Sequence, residues 1–122
     1  SSLKRKVTGS IIGNWTSATV STEWSYLDWP VSSADLEKLR GVRFVFTSGS
    51  HALEIDGVEL LENGKVIDRD RHAGLAGKPS RGNFYKLSLP KGIHANNGCS
   101  LRARVRSVGG KSSNGKLELV KE

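Results

Sequence analysis

The sequence has one cysteine, three prolines and no methionine, and its 12 acidic residues are few beside 19 Lys and Arg. A single cysteine, Cys99, excludes an intrachain disulfide and any zinc cluster built on cysteines. It heads a run of alternating apolar residues, which predicts a buried small hydrophobe. No stretch approaches the ~18 consecutive apolar residues of a membrane helix. No charged segment followed by an apolar run and a small-residue cleavage site marks a signal peptide. The missing methionine leads to the expectation that the chain is excised from a longer or processed protein. Catalytic signatures are missing too: there is no nucleophile elbow, metal-binding His pair, Walker loop or dinucleotide glycine motif. His51, His72 and His94 lie in separate local contexts. Paired carboxylates such as Asp68 and Asp70 occur, but a glycosidase needs two across a substrate cleft.

What is present indicates a folded β domain. Leu, Ile, Val and Phe make up 31 of 122 residues, more than a disordered chain carries. The length suits one domain spanning residues 1–122. Val42, Phe44 and Phe46 alternate with Arg43, Val45 and Thr47, and Leu53 and Ile55 alternate with Glu54 and Asp56. After Gly57 the phase changes to Val58 and Leu60, the pattern of a β-bulge. Period 2 returns at Leu87 and Leu89, at Leu101, Ala103 and Val105, and at Leu117 and Leu119. The run Leu3–Ile12 is a weaker strand. Asn-Gly occurs three times, and the clearest instance, Asn63-Gly64, predicts a two-residue type I′ hairpin turn. Ser32 and Asp35 have capping-box spacing, so a short helix is expected over Ser33–Leu39, with Gly41 as its stop. Residues 68–83 hold charges and turn residues without strand alternation, which predicts a long surface loop. Seven or eight short strands make an all-β fold, an antiparallel β-sandwich or barrel with one short helix.

The charge is unevenly placed. Residues 1–62 carry 6 Lys and Arg against 8 Asp and Glu, a net of −2, while residues 63–122 carry 13 against 4, a net of +9. A basic half points to anionic partners, although it also serves solubility.

Three groups are candidates for binding. Trp24, Tyr26 and Trp29, with Trp15 nearby, form an aromatic cluster. Flat rings suit sugar rings or bases, or they plug the ends of a core. The segment Asp68-Arg69-Asp70-Arg71-His72 offers bidentate donors and acceptors for hydroxyls, carboxylates or sulfates. Alternatively, Asp68 and Asp70 are part of a calcium site, or acids and arginines pair with each other. Arg102, Arg104 and Arg106 project from one face of one strand, about 6.5–7 Å apart. They would meet anionic groups on a polymer, or form a solvated face paired across the sheet with residues such as Glu54 and Asp56. Asn14-Trp15-Thr16 matches a glycosylation sequon, a frequent chance match.

The stretch from His51 to Lys65, followed by Asp70, His72, Gly74, Gly77 and Asn83-Phe84-Tyr85-Lys86-Leu87, resembles the accessory β-sandwich domains of secreted bacterial glycoside hydrolases. Examples are the domains at the C-termini of β-hexosaminidases and α-L-fucosidases. Leu101 to Ser107, Gly109-Gly110 and Ser113-Asn114-Gly115 are similar to the closing strands of the same domains. The resemblance covers roughly residues 40–120. It implies a galactose-binding-like jelly roll, secreted or at the bacterial cell surface, cut from a multidomain enzyme and without catalysis of its own. It also implies a glycan ligand held at rim loops, often with a structural calcium, or else docking onto a catalytic domain without a ligand.

The leading expectation is a carbohydrate-binding module. Trp24, Tyr26 and Trp29 would stack on the glycan, and Arg69, Asp70, Arg71 and His72 would make polar contacts. The basic charge favours a sulfated or uronic glycan, with Arg102, Arg104 and Arg106 as anion contacts. The second reading is a structural domain bracing a neighbouring catalytic domain. Nucleic-acid binding is third, since no nucleic-acid signature accompanies the charge, and no membrane partner is expected. An enzyme is last: a lyase using Tyr85 or His72 would need groups that nothing in the sequence places together.

Overall fold

The computed structural model describes residues 8–121, which form eight strands, a 3-10 turn over Ser17–Thr19 and a short helix. The strands are β1 (Thr8–Thr16), β2 (Ser25–Val31), β3 (Leu39–Ser48), β4 (Ala52–Glu62), β5 (Lys65–Ala76), β6 (Phe84–Lys86), β7 (Cys99–Val108) and β8 (Asn114–Lys121). They make two four-stranded sheets. Sheet I has the order β1-β8-β3-β6 and sheet II the order β2-β7-β4-β5. Every pairing is antiparallel. This is an all-β sandwich with the strand order of an eight-stranded jelly roll.

Local chemistry explains most of the elements. Asn63 and Gly64 both take positive φ, 49° and 85°, which closes the β4–β5 hairpin as a type I′ turn with Glu62 opposite Lys65. The register shifts between Ile55 and Gly57 against both β5 and β7, so the predicted bulge is present. The Ser32 hydroxyl accepts the Asp35 N–H at 3.2 Å, capping a helix (α1) that spans only Ser33–Leu36. The helix is thus shorter than expected, and Gly41 does not stop it: Gly41 lies inside β3. There its missing side chain makes room for β6, because a Cβ would meet the Phe84 ring and the Tyr85 carbonyl at 2.5 Å. Of the expected N-terminal strand, residues up to 7 lie outside the described residues, and the strand seen runs on to Thr16.

The core lies between the sheets. Trp15, Trp29, Phe44 and Tyr85 pack with Leu36, Leu53, Ile55, Leu60, Leu101, Val105, Leu117 and Leu119. Phe44 is met edge-on by Trp29 and Tyr85, each with ring centroids 6.0 Å away, a favoured aromatic geometry. Cys99 is buried, as its setting predicted.

One expectation fails clearly. Residues 68–76 are strand, not surface loop. Their inward side is polar, so apolar alternation is absent, yet the polar groups find partners. Asp68 Oδ2 accepts the Ser88 N–H at 2.9 Å, and Asp70 Oδ2 accepts the Lys86 N–H at 2.8 Å. Buried or half-buried polar groups are tolerated where they are hydrogen-bonded, and here they bind β5 to the segment that carries β6.

Candidate functional site

The outer face of sheet II gathers most of the predicted binding residues. In β7 the side chains alternate strictly, so Leu101, Ala103 and Val105 enter the core while Arg102, Arg104 and Arg106 point outward. In β4 the bulge at Asp56-Gly57 changes the phase, which keeps Glu54, Asp56 and Glu59 all outward while Leu53, Ile55, Val58 and Leu60 stay inside. Without that extra residue, strict alternation would send either Glu59 or the pair Glu54 and Asp56 into the core.

The result is a ladder of ion pairs. Arg102 donates from Nε and Nη2 to Glu59 Oε1 at 3.0 and 2.7 Å. Arg104 Nη1 donates to Asp56 Oδ2 at 2.6 Å, and Arg106 Nε donates to Glu54 Oε1. The hydrogen bond to Glu59, reinforced by the charges of Glu59 and Asp28, holds Arg102 more firmly in its charged form.

On the other side of β7 lies β2, with Tyr26 opposite Arg104 and Asp28 opposite Arg102. The guanidinium of Arg102 lies over the Tyr26 ring, 5.0 Å from its centroid, and those of Arg104 and Arg106 lie over Trp24 at 4.8 and 4.7 Å. Each arginine therefore bridges an aromatic ring on one flank and a carboxylate on the other. Such cation–π contacts contribute about 0.5–1 kcal/mol each at exposed sites. Tyr26 remains 56% exposed.

On the far side of β4, β5 places Arg69 opposite Glu59 and Arg71 opposite Gly57. Arg71 Nη2 lies 3.9 Å from Asp56 Oδ2, at the outer limit of an ion pair, and Arg69 has no ion pair among the described residues. A shallow depression of about 160 Å³ is lined by Tyr26, Asp56, Gly57, Glu59, Arg71, Arg102 and Arg104. The rim arginines and the β7 arginines thus share one surface.

Three expected contacts lie elsewhere. Trp29 is 8% exposed, with its ring in the core and its Nε1 directed at the Asn14 carbonyl 3.5 Å away. Asp70 and His72 alternate with Arg69 and Arg71 and so point to the opposite side of β5. Asp70 Oδ1 is 3.0 Å from His72 Nδ1, His72 Nε2 is 2.9 Å from the Gly82 carbonyl, and the imidazole stacks on Tyr85 with centroids 4.1 Å apart. Tyr85 in turn donates to the His72 carbonyl at 3.0 Å, and burial pushes its hydroxyl pKa far up. These groups are struts between β5 and β6.

The candidate calcium residues do not fit a calcium cage. Asp68 Oδ1 accepts the Arg69 N–H and Oδ2 that of Ser88, while both oxygens of Asp70 are engaged as above. A calcium shell takes six to eight oxygens, and among the described residues no three His, Cys, Asp or Glu groups converge on one point.

Sequence reasoning missed Glu59, whose outward placement depends on the bulge, although the phase change after Gly57 was the available signal. No protein-family model matches this chain, and no match is found among curated proteins.

Proposed function

We propose that this domain is a non-catalytic carbohydrate-binding module and that the outer face of sheet II is its glycan platform. The supporting observation is the row of Trp24 and Tyr26 beside ion-paired arginines and a shallow depression. An exposed ring offers a flat apolar surface to the C–H face of a pyranose. Guanidiniums and carboxylates side by side offer donors and acceptors to its hydroxyls. The resemblance to accessory domains of secreted glycoside hydrolases is consistent with this role, which would position a catalytic domain on its polysaccharide outside the cell.

The ligand charge follows from the pairing. Arg102, Arg104 and Arg106 are each matched by a carboxylate, so an anionic polymer gains little there without displacing Glu59, Asp56 or Glu54. Arg69 and Arg71 are the least compensated cations of the face, and a sulfate or uronate would be taken up at that edge. Affinity electrophoresis against neutral, sulfated and uronic polysaccharides tests the reading. Retardation that Tyr26→Ala weakens supports it, and no retardation by any polymer at low salt rejects it. A bracing domain docked by this same face is the second reading, favoured by the completeness of the ion-pair ladder. It predicts association with the isolated catalytic domain of the parent enzyme and no glycan retardation.

A further inference from the structure

A second concavity lies at the side of the sandwich, where β1 and β2, the edge strands of the two sheets, come together. It has a volume of about 490 Å³, within the ~300–1,000 Å³ range of small-molecule sites. Gly13 brings β1 close to the indole of Trp29, since a Cβ there would meet Trp29 Cδ1 at 2.7 Å. The remaining exposed edges of Trp29 and Leu27 give the cleft a small apolar floor.

Around that floor stand polar groups of mixed kind: Asn14, Asp28, Thr47, Asn114 and Lys116. The Thr47 hydroxyl donates to the Asn114 carbonyl at 3.0 Å, which leaves its oxygen lone pairs to accept. Asn114 donates weakly to the Ser112 carbonyl at 3.4 Å, which leaves its Oδ1 without a donor among the described residues. Asp28 and Lys116 are both exposed, carry opposite charges, and make no ion pair among the described residues.

This chemistry narrows the ligand class. One acid and one base cancel, so the cleft is no site for a polyanion, which needs several cations. Exposed amides, a carboxylate and an ammonium exclude an acyl chain, because their desolvation would cost several kcal/mol. Interleaved donors and acceptors around a small apolar floor match a polyol. We infer that this cleft is a saccharide-binding site for a single neutral sugar unit. Asp28 and Asn114 would accept hydrogen bonds from ring hydroxyls, Lys116 would donate to ring oxygens, and Trp29 would meet the apolar C–H edge. The inference shares its ligand class with the arginine face, which Asp28 also borders through its place opposite Arg102, while Asn14, Thr47, Asn114 and Lys116 belong to the cleft alone.

The experiment is an NMR titration of the ¹⁵N-labelled chain with methyl glycosides of glucose, galactose, mannose, fucose and N-acetylglucosamine at tens of millimolar. At least one should give saturable shifts at the amides of Asn14, Asn114 and Lys116 and at the Trp29 indole. Lys116→Ala lies on the opposite sheet from the arginine face, and loss of its charged hydrogen bond should weaken binding about tenfold. Tyr26→Ala should leave the cleft shifts unchanged. Shifts confined to the Tyr26 and Arg102 face overturn the cleft site and leave the platform standing. Shifts confined to the cleft, weakened by Lys116→Ala, support it and count against the platform. No saturable shift at either place overturns the cleft site, while polymer retardation still decides the platform.

Discussion

Replacing Asp70 separates a strut from a ligand contact. One oxygen joins β5 to β6 by accepting the Lys86 N–H at 2.8 Å, and the other faces His72 Nδ1 at 3.0 Å, holding the imidazole that stacks on Tyr85 of β6. A hydrogen bond to a charged group contributes about 1.5–3 kcal/mol, and partial exposure lowers that figure. Asp70→Ala is therefore expected to destabilise the domain by about 2 kcal/mol. With an unfolding entropy of about 0.25 kcal/mol/K for a chain of this size, the melting temperature should fall by about 8 °C. Asp70→Asn should cost less, about 1 kcal/mol or below. Its amide oxygen still accepts the Lys86 N–H, and its NH₂ donates to Nδ1 of a neutral His72 whose Nε2–H donates to the Gly82 carbonyl. Thermal and urea unfolding of the three proteins measure this order. An Asp70→Ala variant within about 0.5 kcal/mol of the parent, a typical surface effect, would refute the strut. So would an Asn variant as damaging as the Ala variant.

Other predictions follow from the same structure. Gly74→Ala should destabilise by about 2 kcal/mol or more in urea unfolding, because a Cβ there collides with the Gly82 carbonyl and the Tyr85 hydroxyl; a neutral effect would refute the close β5–β6 packing. Asp35 is held below the usual carboxylate range, first by its hydrogen bond from Lys121. A depressed folded-state pKa contributes stability above the unfolded value near 3.8 that is lost as pH falls through the folded value. Lys121→Ala should therefore flatten the loss of urea stability below about pH 4, and an unchanged pH profile would count against the pair. Burial pushes the Cys99 thiol up, so a thiol reagent should label it only as fast as the protein unfolds, and rapid labelling of the native chain would contradict its placement.

The alternation of β3, β4, β7 and β8, the Asn63-Gly64 turn, the bulge at Gly57 and the outward row of Arg102, Arg104 and Arg106 were all legible in the sequence. Each depends on side-chain period or on backbone freedom within a few residues, and those are local properties. β5 was not legible. Its inward Asp68, Asp70 and His72 are satisfied by backbone groups of residues 82–88, and only the folded chain supplies them. Trp29 and Tyr26 lie three residues apart, yet one packs in the core and the other projects into solvent. The strand's pleat decides which is which, and its phase is set by pairing with β7 rather than by any local signal. The same pairing makes the candidate site. Residues near 26 and near 104 are distant along the chain, and the crossover that lays β2 beside β7 brings the rings against the arginines. Sequence alone therefore determined β3, β4, β7 and β8, the turn and the basic character of one half. Tertiary structure decided that its arginines meet carboxylates and aromatic rings, because strand order is a long-range choice made by burial of the whole core.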